Sequence, residues 1–201
     1  MPRYLLAASL FVALGTSSAT ADPLAPGDQF DRLQNGYFSH HEPYPTVIDG
    51  HFGAWTAGRL LDPEGNPLLC VASGDRQKLT FIVGEPFGLQ ILATYAGLEA
   101  GSNYSLKVTA GSVEQTFNMS TTGPSTLWSD IEPKDFVNLM AAMDKAPHVE
   151  LDQGGSKQTI SLSGSTKALN LFRVCAIYKE VNTPGGDRAA AKLVEALNGS
   201  R

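Results

Sequence analysis

From about residue 52 onward, apolar and polar positions alternate in short runs divided by turn-forming residues, the period of half-buried β-strands. Phe52 to Leu61, carrying Trp55, reads as the first core strand. Asp62-Pro63-Glu64-Gly65-Asn66-Pro67 is dense in turn formers and leads to a second strand over Leu68 to Ala72. Ser73-Gly74-Asp75 turns the chain into Lys78 to Val83, a β-branched and aromatic third strand. Gly88 to Tyr95 predicts a fourth, with Leu89, Ile91 and Ala93 alternating. Tyr104 to Thr109 and Val113 to Met119, split by Ala110-Gly111, predict a hairpin.

The period then changes. Pro133, preceded by Asp130 and Glu132, suits a helix start, and Phe136, Leu139, Met140 and Met143 recur at helical spacing until Pro147. Val149 to Leu151 and Gln158 to Leu162 predict two further strands around Gly154-Gly155. Ser165 is placed to cap a second helix, whose buried face would carry Ala168, Leu169, Phe172, Cys175 and Ala176. Thr183 to Gly186 reads as a linker, and Asp187 to Leu197 as a short Ala-rich helix too brief to persist without docking. These elements predict a mainly β, antiparallel, β-sandwich-like fold with two or three short helices. The β-rich domain is expected over residues 51–180, after an irregular lead-in at 22–50 rich in Pro, Gly, Asp and His. A linker and short helix at 181–201 would follow.

The first residues change the compartment expected. Arg3, an apolar run from Tyr4 to Leu14, and Ala19-Thr20-Ala21 before Asp22 have the order of a secretory signal peptide, predicting residues 1–21 to be removed near Ala21. The run is well short of the roughly 20 residues of a spanning helix, so no transmembrane segment is expected in the mature chain. Without Arg3 the chain holds 14 basic and 20 acidic residues in no large block, which argues against nucleic acid as a partner.

Export also bears on the two cysteines, Cys70 and Cys175. An even count in an oxidising compartment favours a disulfide, here stapling a late helix onto an early strand. It would close a loop of about 100 residues, for which the chain-entropy model gives roughly 4–5 kcal/mol.

Candidate chemistry is sparse. His40, His41 and Glu42, with Asp49 and His51 nearby, are the one concentration of metal-type ligands. Adjacent histidines of a strand point to opposite faces, and Pro43 and Pro45 favour a solvated loop. His40, His41 and His51 therefore stand as secondary metal candidates, and no cofactor is expected. The chain has no G-x-S-x-G elbow and no H-E-x-x-H motif. His148 lacks a nucleophile near it in sequence, and Asp130 with Glu132 reads better as helix-terminus acids than as a glycosidase pair. Trp55 and Trp128 could stack on a sugar, but core packing is the default for a strand tryptophan. No catalytic residue is named on this basis.

Phe52-Gly53-Ala54-Trp55-Thr56, then Cys70-Val71-Ala72, repeated hairpins and the second cysteine in a late helix resemble the invasion-associated locus B family of small exported alphaproteobacterial proteins. Ser161 to Ser165 with Ala168, Leu169 and Phe172 through Cys175 also resembles related envelope domains, including type VI secretion-associated periplasmic proteins. The likeness covers roughly residues 50–178. The family often has another cysteine soon after the tryptophan, where this chain reads Ala57-Gly58-Arg59. The resemblance implies a periplasmic or outer-membrane-associated β-sandwich with no catalytic residues to carry over. The expectation is a non-enzymatic envelope binding or adaptor protein, partnered by another envelope protein through an edge strand or the face bearing Thr94 and Tyr95. A hydrolase assembled only in three dimensions, or a metal-binding exported protein, are the alternatives.

Overall fold

The alternation resolves into ten strands, seen in a computed structural model that describes residues 46–84, 87–121, 123–182 and 186–199. The signal-like residues 1–21, residues 22–45 of the lead-in, and His40, His41 and Glu42 lie outside the described residues. In chain order the strands are β1 (Thr46–Phe52), β2 (Trp55–Leu61), β3 (Pro67–Gly74), β4 (Leu79–Gly84) and β5 (Gly88–Thr94). They continue as β6 (Asn103–Ala110), β7 (Val113–Thr121), β8 (Thr126–Asp130), β9 (His148–Gln153) and β10 (Ser156–Ser161). The helices are α1 (Pro133–Met143), α2 (Ser165–Asn182) and α3 (Arg188–Gly199).

All ten strands belong to one antiparallel sheet, ordered β1-β2-β3-β4-β5-β8-β7-β6-β9-β10. The fold is therefore mainly β and antiparallel, with three helices among the described residues. The layered appearance of a sandwich comes from curling of this one sheet. Trp55 Nε1 on β2 donates to Ser161 O at the end of β10 (2.8 Å), and Ala54 N donates to Ser163 O (3.0 Å). This closure requires two glycines. Gly164 has φ +88°, and a Cβ there would overlap Phe52 O, while a Cβ on Gly53 (φ +59°) would lie 2.7 Å from Ser163 O. Both would suffer the strain of a left-handed backbone as well.

The two halves of the sheet differ in burial, and the sequence carries the reason. β6, β7, β9 and β10 alternate between buried and exposed residues, so one face meets solvent. β3 and β4 are near-continuous apolar runs and are buried on both faces. One face, with Cys70, Phe81, Ile91, Val108 and Leu151, joins the three helices in the main core. The other carries Leu60, Leu69, Val71, Ile82 and Leu92, a second cluster with Ile48, Leu68, Phe87 and Trp128 packed against it.

Aromatic rings connect sheet and helices through the main core. Trp55 stacks at 6.5 Å from Phe81, Phe81 meets Phe136 of α1 edge-on at 5.1 Å, and Phe136 lies 5.6 Å from Phe172 of α2. Such pairs contribute about 0.5–1.5 kcal/mol each beyond their buried area. Cys70 of β3 and Cys175 of α2 form the expected disulfide, with Cα atoms 5.8 Å apart.

Three boundaries differ from the sequence reading. The sheet begins at Thr46 rather than near residue 51. The span read as one strand from Phe52 is a hairpin whose turn lies at Gly53 and Ala54. β1 breaks register between Ile48 and Gly50, and this bulge hides its alternation. β8 is five residues of mixed polarity, too short for its period to stand out, yet it joins the two halves of the sheet.

Candidate binding surfaces

α2 is held rigidly from one side. Besides the disulfide, Lys179 is buried at 3% side-chain exposure, and its Nζ donates to Pro67 O (2.7 Å), Leu68 O (2.8 Å) and Asp187 Oδ2 (2.9 Å). Asp187 has no side-chain exposure, and its Oδ1 accepts from Ala190 N (2.9 Å), capping the first turn of α3. All three ammonium protons are therefore satisfied, and one residue ties α2, the start of β3 and the start of α3 together. α3 docks through Ala190, Leu193 and Leu197.

The opposite side of α2 faces solvent. Val174 (60% exposed), Ile177 (46%), Tyr178 (47%) and Val181 (74%) are the exposed large hydrophobics among the described residues. Their spacing of three, one and three residues puts them on a single helical stripe. It lies opposite the face of Leu169, Phe172, Ala176 and Lys179. One flank of the stripe carries Arg173 and Glu180, two turns apart, and neither has an ion-pair partner among the described residues. Arg173 Nη1 donates only to Asn170 Oδ1, at 3.2 Å.

Thr94 and Tyr95, expected on a contact face, instead form the buried seam where the sheet curls. Thr94 Oγ1 donates to Gln77 O (2.8 Å), and Thr94 O accepts from Gln158 Nε2 of β10 (2.8 Å). Tyr95 is 4% exposed within the main core. Its hydroxyl has no partner among the described residues, and neither do Gln77 Nε2 or Gln158 Oε1. Burial, and secondarily the charge of Asp152, pushes the Tyr95 phenol up to about 12. Asp75, Arg76 and Gln77 all have positive φ (40°, 59° and 69°), so this seam also stores backbone strain.

Between α1 and α3 runs an open groove of about 700 Å³ lined by Glu132, Lys134, Val137, Lys192, Glu195 and Ala196. Its lysines and glutamates balance, so it favours neither anionic nor cationic ligands.

The remaining sequence candidates disperse. His51 Nδ1 is paired with Thr56 Oγ1 (2.9 Å), and Asp49 forms an ion pair with Arg59 (3.0 Å). Among the described residues no group of three or more His, Cys, Asp or Glu is placed to hold a metal. His148 lies 3.6 Å from Glu150, both about half exposed, while Asp130 accepts from Gln90 Nε2. Trp55 is wholly buried in the main core and Trp128 packs on the other cluster, so the two share no platform. Ser165 Oγ donates to Leu162 O instead of accepting from the helix it begins. No helix among the described residues is long and apolar enough to cross a membrane.

The sequence reading missed the α2 stripe and the Lys179–Asp187 pair. The first was visible as a second set of apolar positions at spacings three, one and three. The second joins residues across the Thr183 to Gly186 linker, and neighbouring sequence carries no signal of it. Comparison with protein families, with characterised proteins and with solved structures finds no match for this chain.

Proposed function

We propose that this is an exported, non-catalytic binding protein of the bacterial envelope, and that it docks its partner on the outward stripe of α2. The observation that carries this reading is the exposure of Val174, Ile177 and Val181 on a helix whose other side is fixed by a disulfide and a buried ion pair. Exposed apolar residues scattered singly are ordinary, whereas a contiguous apolar stripe on a rigid element marks an interaction surface. Rigid anchoring lowers the ordering cost of binding. The signal-like first 21 residues and the resemblance to invasion-associated locus B proteins support the envelope assignment, and the disulfide accords with an oxidising compartment.

The test is site-specific photocrosslinking in intact cells producing the full chain. A photoreactive residue at Val181 is compared with one at Lys157, an exposed position on β10. A discrete crosslinked species from position 181 and none from position 157 is expected. Equal, diffuse labelling from both would overturn the docking surface, and fractionation of the product with the cytoplasm would overturn the envelope assignment.

A further inference from the structure

We infer that the partner on the α2 stripe is a second copy of this chain, packed antiparallel across a two-fold axis near residues 176–177. The inference rests on the docking reading above and names its occupant. The motive is charge complementarity. Arg173 and Glu180 lie on the same flank of α2, seven residues apart, with no ion-pair partner among the described residues. A two-fold axis perpendicular to two antiparallel helices brings a given flank of one copy against the same flank of the other, reversed in direction. Arg173 then faces Glu180 of the second copy, and Glu180 faces its Arg173, when the axis passes midway between them. That midpoint falls within about one residue of the middle of the Val174 to Val181 stripe. One axis thus satisfies the apolar and charged requirements together. In a parallel two-fold pair the flank of Arg173 and Glu180 meets the opposite flank of the second copy, and neither charge reaches its complement.

A single helix face is smaller than the roughly 800 Å² per partner of a standard stable interface. The pair is therefore weak and concentration-dependent, with dissociation constants in the range of roughly 10–1,000 μM. Each exposed ion pair contributes modestly, and both are screened by salt.

Sedimentation velocity on the protein purified after expression of the full chain should show mass rising from one copy towards two across this concentration range. Val181→Glu should hold it at one copy with an unchanged circular dichroism spectrum. Arg173→Glu should weaken association about fivefold or more, and the swap Arg173→Glu with Glu180→Arg should restore it. The geometry supplies a sharper test under mild oxidation. Ile177→Cys lies beside its own counterpart at the axis and should give a covalent dimer. Val181→Cys atoms are offset along the helices by about 13 Å, beyond disulfide reach, and should not. Crosslinking at both positions, or no rescue by the charge swap, would overturn the antiparallel pair. One copy at every concentration, with position 181 crosslinking in cells to a different protein, would overturn self-association and leave the docking reading standing. Without either association or crosslinks, both readings fall.

Discussion

Replacing Asp187 with alanine should show whether the Lys179 contact is what fixes the C-terminal helices. The substitution deletes the carboxylate 2.9 Å from Lys179 Nζ and the Oδ1 acceptor that caps α3 at Ala190. It leaves an ammonium of 3% exposure with only the carbonyls of Pro67 and Leu68. Breaking a buried pair from one side costs about 3–5 kcal/mol, because the remaining charge is stranded. Loss of the cap adds about 1 kcal/mol. The molecule can limit this cost by undocking α3, which buries Ala190, Leu193 and Leu197 and packs Ala189 and Ala196 partly against the core. Urea denaturation should therefore report a loss of several kcal/mol or, if α3 releases locally, a smaller global loss. In the second case α3 amides exchange hydrogen at least a hundredfold faster. Lys179→Met, alone and combined with Asp187→Ala, completes the cycle, and a coupling of about 2 kcal/mol or more is expected. A loss below about 1 kcal/mol with α3 protection unchanged would refute the reasoning, since it would mean that the pair contributes nothing to docking.

Two other substitutions test the interior. Tyr95→Phe removes a buried hydroxyl that has no partner, so at pH 7 stability should hold or rise by up to about 1 kcal/mol in urea titrations. The folded phenol titrates near 12 against 10.0 for the ordinary group. The unfolded chain therefore releases this proton first, and the stability present below pH 10 is lost between pH 10 and 12. The loss is about 2–3 kcal/mol, and Tyr95→Phe should abolish it. Replacing Cys70 and Cys175 together with alanine opens a crosslink of sequence separation 105 and should lower stability by up to about 4–5 kcal/mol, read by the same titrations on the unreduced protein.

How much was legible in the sequence depended on whether a residue's neighbours lay nearby in the chain. The β6–β7 hairpin pairs Ala110 with Val113, and its alternation survives because one face is solvated, so both strands were readable. The disulfide was readable from cysteine count and expected compartment, although 105 residues separate its ends. β8 was not, since Thr126–Asp130 is a strand only because β5 and β7 lie on either side of it. Tyr95 was misplaced for a related reason. Its alternation identified a strand, but only the curl of the sheet, which brings Gln158 to Thr94, turns that strand's end into an interior seam. Lys179 shows the limit most clearly. In a helix sequence it reads as a solvated charge, yet folding surrounds it with two carbonyls and a carboxylate from elements on either side. The consequence for function is direct. Buried Lys179 occupies the inner side of α2, where an apolar residue would be expected, while Val174, Ile177 and Val181 occupy the outer side, where charges would be expected. An isolated helix would not favour that distribution in water. It becomes stable when the inner charge is paired and the rest of the inner face is packed and stapled to the sheet.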